Sequence, residues 1–311
     1  MKPRDRSLGQ RLEDGLTLFE RERRPLPGIA NPARRRTLIE QMIESIHRRR
    51  YLSIICSRPL GPRVADPMDS SFDPFKAAIV NWRAGNVDEA FWLVFLFTHF
   101  GKHPRGGWRY AREVYGRLGE GRRWDWVTIS AQPTGFRSWL REHQSQLARP
   151  GAGFGNHRKY QSMSADYRSG TASVVESYVT WVAPPRTHAA LFEEALTHRR
   201  DDARAAFHDL YESMDAIAGF GRTARFDYLT AVGNLGLVPI EPGSAYVRGS
   251  TGPLAGGRLL FGDDRHAALS GGDLDAWLAE LDALLHIGMQ VWEDALCNWQ
   301  KSPDLFRPFR G

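Results

Sequence analysis

An all-α fold is predicted by three features of the chain. Apolar residues recur at helical spacing in most segments, period-two runs are scarce, and Arg258–Phe261 is the one plausible short strand. With 42% hydrophobic and 11% aromatic residues, the 311-residue chain can also bury a sizeable core, which excludes wholesale disorder. No internal repeat or long low-complexity tract interrupts the pattern.

Taken in order, Thr37–Arg50 places Leu38, Met42, Ile43 and Ile46 on one face and ends in three arginines, which suit a helix C-terminus. Asp88 is placed to cap a helix through AFWLVFLFTHF, apolar all round and so expected at the centre of the core. Further helices are predicted over Trp108–Leu118, Thr134–Leu147, Ala172–Val182, His188–His198, Asp202–Ile217 and Thr223–Gly233. A long last helix is predicted from Asp273 to about Gln300. Loops fall at Pro25–Pro32, Ser57–Asp73, Ala148–Tyr160 and Val238–Arg258. The expected organisation is a basic segment over 1–72 carrying a helix, then a helical domain over 73–311.

Composition narrows the function. Two distant cysteines, Cys56 and Cys297, give neither a disulfide framework nor a CxxC zinc site, and a reducing cytoplasm is the default compartment. No stretch approaches the roughly 18 apolar residues of a membrane span, and the start MKPRDRSLGQRLED lacks a secretory apolar core. The net charge of +6 is local. Residues 1–60 hold 14 Lys+Arg against 7 Asp+Glu, a net of +7, so the remainder sums to about −1. Of the 42 basic residues 37 are arginine, which codon bias or a phosphate-binding surface would each explain.

The informative motif is MDAIAGFGRTARFDYL, Met214–Leu229. Ile217, Gly219, Phe220, Gly221, Thr223 and Ala224 make the pattern of a helix–hairpin–helix element at about 210–234. Glycines there let backbone amides face outward at a helix N-terminus, a site for a DNA phosphate, to which Arg222 can add charge. The same glycines can also do no more than separate two helices.

This element resembles the hairpin of the helix–hairpin–helix superfamily of DNA glycosylases, which implies an all-α two-lobed fold with DNA in the cleft. In that superfamily a catalytic carboxylate, normally aspartate, follows the second hairpin glycine by about twenty residues. The corresponding position here is Glu241, in VPIEP. Some members place a lysine nucleophile two residues after that glycine; this chain has Thr223, so the resemblance implies water as nucleophile. The blocks DEAFWLVFLFTHFGKH (88–103), GFGNHRKY (153–160) and FDYLTAVGNLGLVPIEPGSAYVRGSTGPL (226–254) further resemble the alpha-glutamyl/putrescinyl thymine pyrophosphorylase clade 3 family. Pro242, Gly243, Ser244, Arg248 and Gly249 carry its most specific signature. That clade is similar to antiphage glycosylases that excise glucosylated hydroxymethylcytosine.

Breaking an N-glycosidic bond builds positive charge on the sugar, so a carboxylate must stabilise it and orient a water. Glu241 and Asp227 are the two candidates. The base must also leave the stack and be read in a pocket. For that, Asn156, His157 and Tyr160 offer an edge donor, charge and a stacking ring. Arg158 and Lys159 offer phosphate contacts, while Ser244, Tyr246 and Arg248 are placed to line the same pocket. His99 and His103 at i, i+4 lack a nearby third ligand, and no phosphate-binding loop follows a strand. Neither a metal nor an organic cofactor is therefore expected.

The expected function is a monofunctional glycosylase that hydrolytically excises a hypermodified base from double-stranded phage DNA, in antiphage defence. The alternatives are a transferase or pyrophosphorylase acting on a modified thymine, and a non-catalytic module that binds modified DNA.

Overall fold

In a computed structural model, residues 3–308 are described, with Asn156 described by its backbone alone. The described residues form fourteen α-helices and no strand. They are α1 (Arg6–Glu22), α2 (Pro32–Ser57), α3 (Pro74–Arg83), α4 (Val87–Phe100), α5 (Arg109–Tyr115), α6 (Trp126–Ala131) and α7 (Pro133–Leu147). There follow α8 (Thr171–Val182), α9 (His188–His198), α10 (Ala203–Ser213), α11 (Arg222–Asn234), α12 (Gly252–Gly262), α13 (Gly271–Leu285) and α14 (Met289–Trp299). No helix among the described residues is long and apolar enough to cross a membrane.

Polar side chains set many of the starts. Asp73, Asp125, Thr187, Asp202 and Ser270 each accept backbone amides of the first turn of α3, α6, α9, α10 and α13. Asp88 does not cap α4. Asn86 occupies that position, and Asp88 lies in the first turn, where its Oδ1 accepts the backbone N–H of His188 at 2.7 Å.

The chain divides into two compact units, and the boundary does not fall at 72/73. One unit combines residues up to Ser53 with those from Pro242 onward; the other is Ile54–Glu241. The reason is hydrophobic. Leu12, Leu16 and Phe19 of α1 and Leu38 and Met42 of α2 are fully buried in one cluster with Leu274, Leu278, Leu281 and Trp292. The N-terminal segment is thus part of a core completed by the C-terminal helices.

This also accounts for the N-terminal arginines. Arg24 pairs with Glu280 at 2.7 Å, Arg34 with Asp263 at 2.7 Å and Asp304 at 3.0 Å, and Arg48 with Asp294. Arg35 bonds Glu20, Glu13 and Thr17, and Arg49 donates to the Ile287 carbonyl at 3.0 Å. Much of the local excess of +7 is matched by acids and carbonyls of its own unit.

Two other expectations change in this unit. The long last helix is broken into α13 and α14. Asp282, 6% exposed, turns its Oδ1 to the N–H of Ile287 (3.0 Å) and Gly288 (2.8 Å) and to the indole N–H of Trp292 (3.0 Å). A side-chain acceptor that competes for backbone amides ends a helix locally. Arg258–Phe261 is not a strand but lies in α12, which packs against α14. A short apolar run does not distinguish a strand from a buried helix.

In the second unit α4 is the central element, packed by α3, α9 and α11. Its residues Ala90–Leu96 are all at most 1% exposed, which explains why it is apolar all round. Trp124 and Trp126 are buried packing anchors, at 2% and 7% exposure.

Two histidines are sealed in this core. Thr171 donates to the Ser162 carbonyl at 3.0 Å, so it accepts from His99 Nε2–H, also at 3.0 Å. Burial pushes the His99 pKa down to about 3. Burial also lowers the pKa of His188, against the opposing pull of Asp88. The folded protein therefore refuses protons that the unfolded chain accepts below about pH 6.5. Stability is complete above that pH and falls as pH drops below it, for His99 by about tenfold in the folding equilibrium per pH unit down to about pH 3, with a further loss from His188 in the same direction. Glu89, raised chiefly by burial, opposes this above its ordinary value of 4.5. Urea unfolding at pH 7, 6 and 5 should show uptake of about one to two protons on unfolding. His99→Gln should remove about one of them; an unchanged slope would exclude His99 as a source.

Candidate functional site

Two helices flank the glycine motif, with α10 ending earlier than the periodicity suggests. After Ser213 a single 3-10 turn, Met214–Ala216, leads into Ile217–Gly221, and α11 begins at Arg222. Ile217 and Phe220 point inward at 2% and 3% exposure, while Gly219 and Gly221 are exposed. Phe220 stacks on Phe95 of α4 with centroids 5.6 Å apart. Ala224 is buried.

The two glycines have different reasons. Gly219 has φ +65°, and a Cβ there would lie 3.2 Å from Ser169, so chain geometry alone favours glycine. Gly221 is extended, caps α11 without a side-chain bond, and a Cβ there would meet nothing within 4 Å. No contact inside the protein accounts for the second glycine. Arg222 lays its guanidinium over the Phe226 ring at 5.2 Å.

Asp227 lies in the second turn of α11 and is partly exposed. Its Oδ2 accepts Arg158 Nη2 at 2.8 Å. Arg158 was expected at a phosphate, but the structure places it in the interior, 6% exposed. Its Nε donates to the Thr98 carbonyl at 2.7 Å, and Nη1 to the His157 carbonyl at 3.1 Å. The guanidinium thus ties the loop after α7 to the end of α4 and presents one arm to Asp227. Gly155 N–H, bonded to the Phe100 carbonyl at 2.8 Å, pins the same loop. His157, Lys159 and Tyr160 remain exposed around it, Tyr160 at 90%, with Lys159 Nζ 5.0 Å from the Tyr160 ring centre. The Asn156 side chain lies outside the described residues.

Glu241 is placed differently. It is exposed and paired with Arg204 of α10 at 2.8 Å, so the two candidate carboxylates sit in separate ion pairs. Ser244, Tyr246 and Arg248 belong to the other compact unit. Ser244 Oγ donates to Asp275 at 2.7 Å and accepts the Tyr246 amide at 2.8 Å, while Val247 N–H reaches the same carboxylate at 3.1 Å. The Pro-Gly-Ser signature is therefore a loop wound around Asp275. Arg248 is exposed and Tyr246 partly so.

Behind α11 runs a buried polar chain that sequence reasoning missed. His188 Nδ1 donates to Asp88 at 2.6 Å, so its Nε2 accepts Tyr178 O–H at 2.8 Å, and Tyr178 in turn lies 2.9 Å from Tyr228 O–H. Burial pushes the Asp88 carboxyl up, but the bonds from His188 outweigh it and hold it below its ordinary range. Burial raises both tyrosines. The chain ties α4, α8, α9 and α11 together and ends at Tyr228, the residue after Asp227 in α11. Only the aspartate–histidine pair had a visible type, and 100 residues separate its members.

A cleft of about 600 Å³ opens between α1 and α2, lined in part by Glu13, Glu20, Arg35 and Arg36, and it contains none of the predicted site residues.

The geometry defines a class: an all-helical protein in which a glycine turn joins two helices, and a carboxylate on the second of them pairs with a buried guanidinium from a loop. The chain belongs to the alpha-glutamyl/putrescinyl thymine pyrophosphorylase clade 3 family, whose model matches residues 33–311. The family is named for an enzyme activity toward modified thymine. Neither a curated protein nor a solved structure matches the chain.

Proposed function

We propose that this protein is a DNA N-glycosylase that hydrolytically removes a hypermodified base from phage DNA, with glucosylated hydroxymethylcytosine the first substrate to test. The observation that carries the reading is the Arg158–Asp227 pair, a carboxylate on the hairpin's second helix held by a buried guanidinium from the basic loop. In this reading the hairpin amides and Arg222 hold a phosphate, and the target nucleotide is flipped toward Asp227. The C1′–N bond breaks with its electron pair leaving on the base. A water oxygen bonds C1′, and its proton passes to the Asp227 carboxylate, which also stabilises the cationic sugar. An abasic site remains. Glu241, exposed and paired with Arg204, is the less favoured carboxylate.

The family match favours a second reading, chemistry on an alpha-glutamyl or putrescinyl thymine in DNA. One experiment separates them. Duplexes carrying glucosylated hydroxymethylcytosine or putrescinyl thymine are incubated with the protein, treated with alkali and examined by mass spectrometry. Strand breaks at the modified base support excision, and the substrate that breaks identifies it. Intact strands with a changed base mass support transfer or pyrophosphorolysis, and binding without either leaves a reader of modified DNA.

Gly221 gives an independent check of the DNA-facing hairpin. Because its Cβ position is open, Gly221→Ala should cost no more than the difference between glycine and alanine at a helix N-cap, about 1 kcal/mol or less. If a phosphate approaches those amides, duplex affinity should fall by about tenfold, the worth of one charge-assisted hydrogen bond. Equal affinity for the variant would remove the phosphate from the hairpin.

A further inference from the structure

Of the three tyrosines more than half exposed among the described residues, Tyr51, Tyr160 and Tyr167, two lie on the single segment that leads from the basic loop to α8. That segment is tied to the hairpin at both ends. Gln161, next to Tyr160, donates its side-chain amide to the Gly219 carbonyl at 3.0 Å. Ser169, two residues past Tyr167, is the neighbour that a Cβ on Gly219 would touch at 3.2 Å.

The backbone that carries these rings is pinned. Tyr167 N–H donates to Ser164 Oγ at 3.0 Å, and its carbonyl accepts Gly170 N–H at 2.8 Å and Ser173 Oγ at 3.2 Å. Arg158 and Gln161 close a turn around Tyr160, with Gln161 N–H on the Arg158 carbonyl at 2.9 Å. Exposed rings on a fixed backbone expose apolar surface without using it in folding, and they bind flat partners at small entropic cost. Charge selects the partner. Lys159 and Arg168 are exposed beside the rings, while the one carboxylate between them, Asp166, is occupied by Arg141 at 2.6 Å. Aromatic rings interleaved with unopposed basic groups are the chemistry of a strand whose bases are free to stack.

Resting on the reading of the hairpin as DNA-facing, we infer that Tyr160 and Tyr167 form a base-stacking platform beside it. The preferred substrate is then DNA with unpaired nucleotides next to the target, rather than an intact duplex.

The test uses the full chain with a fluorescein-labelled single strand, the matching duplex, and a duplex with a short unpaired bubble, all unmodified. Anisotropy should show the single strand and bubble bound more tightly than the duplex by about five- to 150-fold, the equivalent of one stacked base. Tyr160→Ala and Tyr167→Ala should each remove much of that preference, Tyr160→Phe should keep it, and 2-aminopurine in the bubble should be quenched only with a ring present. Equal affinity for all three DNAs that neither alanine variant changes would overturn the inference. So would tyrosine-dependent self-association by light scattering, which would give the rings to a second copy. If Gly221→Ala weakens duplex binding while the tyrosine variants do nothing, the platform fails and the glycosylase reading stands. If no DNA is bound at all, both fail.

Discussion

Asp227→Asn should reduce single-turnover base excision by about 10²–10⁴-fold, the usual contribution of a positioned acid–base group, while DNA affinity stays within a few-fold. The amide keeps the shape and an oxygen for Arg158 but loses the charge that stabilises the sugar cation and the capacity to take a proton. Alkali-revealed strand breaks under enzyme excess report the step directly. Glu241→Gln should cut nearly normally, because its exposed pair with Arg204 is separate from the pair at Asp227. The reverse pattern would move the chemistry to Glu241, and normal cutting by both variants would refute the assignment altogether. Arg158→Leu would weaken excision and stability together, because its guanidinium also holds the Thr98 and His157 carbonyls.

Asp282→Ala should lower stability by at least about 2 kcal/mol, since two buried donors and one half-buried donor lose their acceptor and each buried one costs about 1–3 kcal/mol unpaired. Those donors are the amides of Ile287 and Gly288 and the indole of Trp292, itself fully buried. Asp282→Asn retains an acceptor oxygen and should lose much less. The urea midpoint of the intrinsic fluorescence transition measures both. A drop as large for asparagine as for alanine would show that packing around Asp282, rather than its three bonds, is what matters.

Local features were legible in the sequence and distant pairings were not. The helix over His188–His198 is found where its spacing places it, and α7 and α8 begin within one residue of expectation. The hairpin was legible for the same reason, because two glycines around a buried phenylalanine act within a few residues of one another. Arg158 was misplaced. A basic residue in a Gly-rich loop reads as a surface charge unless the carboxylate 69 residues away is known to face it. Asp275 escaped notice because its partner Ser244 is 31 residues distant, and the helix break at Asp282 escaped because periodicity does not register a side-chain acceptor.

By itself, then, the sequence determined the all-α class, the apolar helix at the centre of the second unit and the glycine hairpin, since backbone preference and apolar spacing act over one or two turns. Tertiary structure alone decided that the N-terminal helices complete a core with the C-terminal ones, and that many of their arginines pair within it. It also decided that Asp227, and not Glu241, is held by a buried guanidinium. Ion pairs and burial are set by which distant surfaces lose water together, and no spacing along the chain records that.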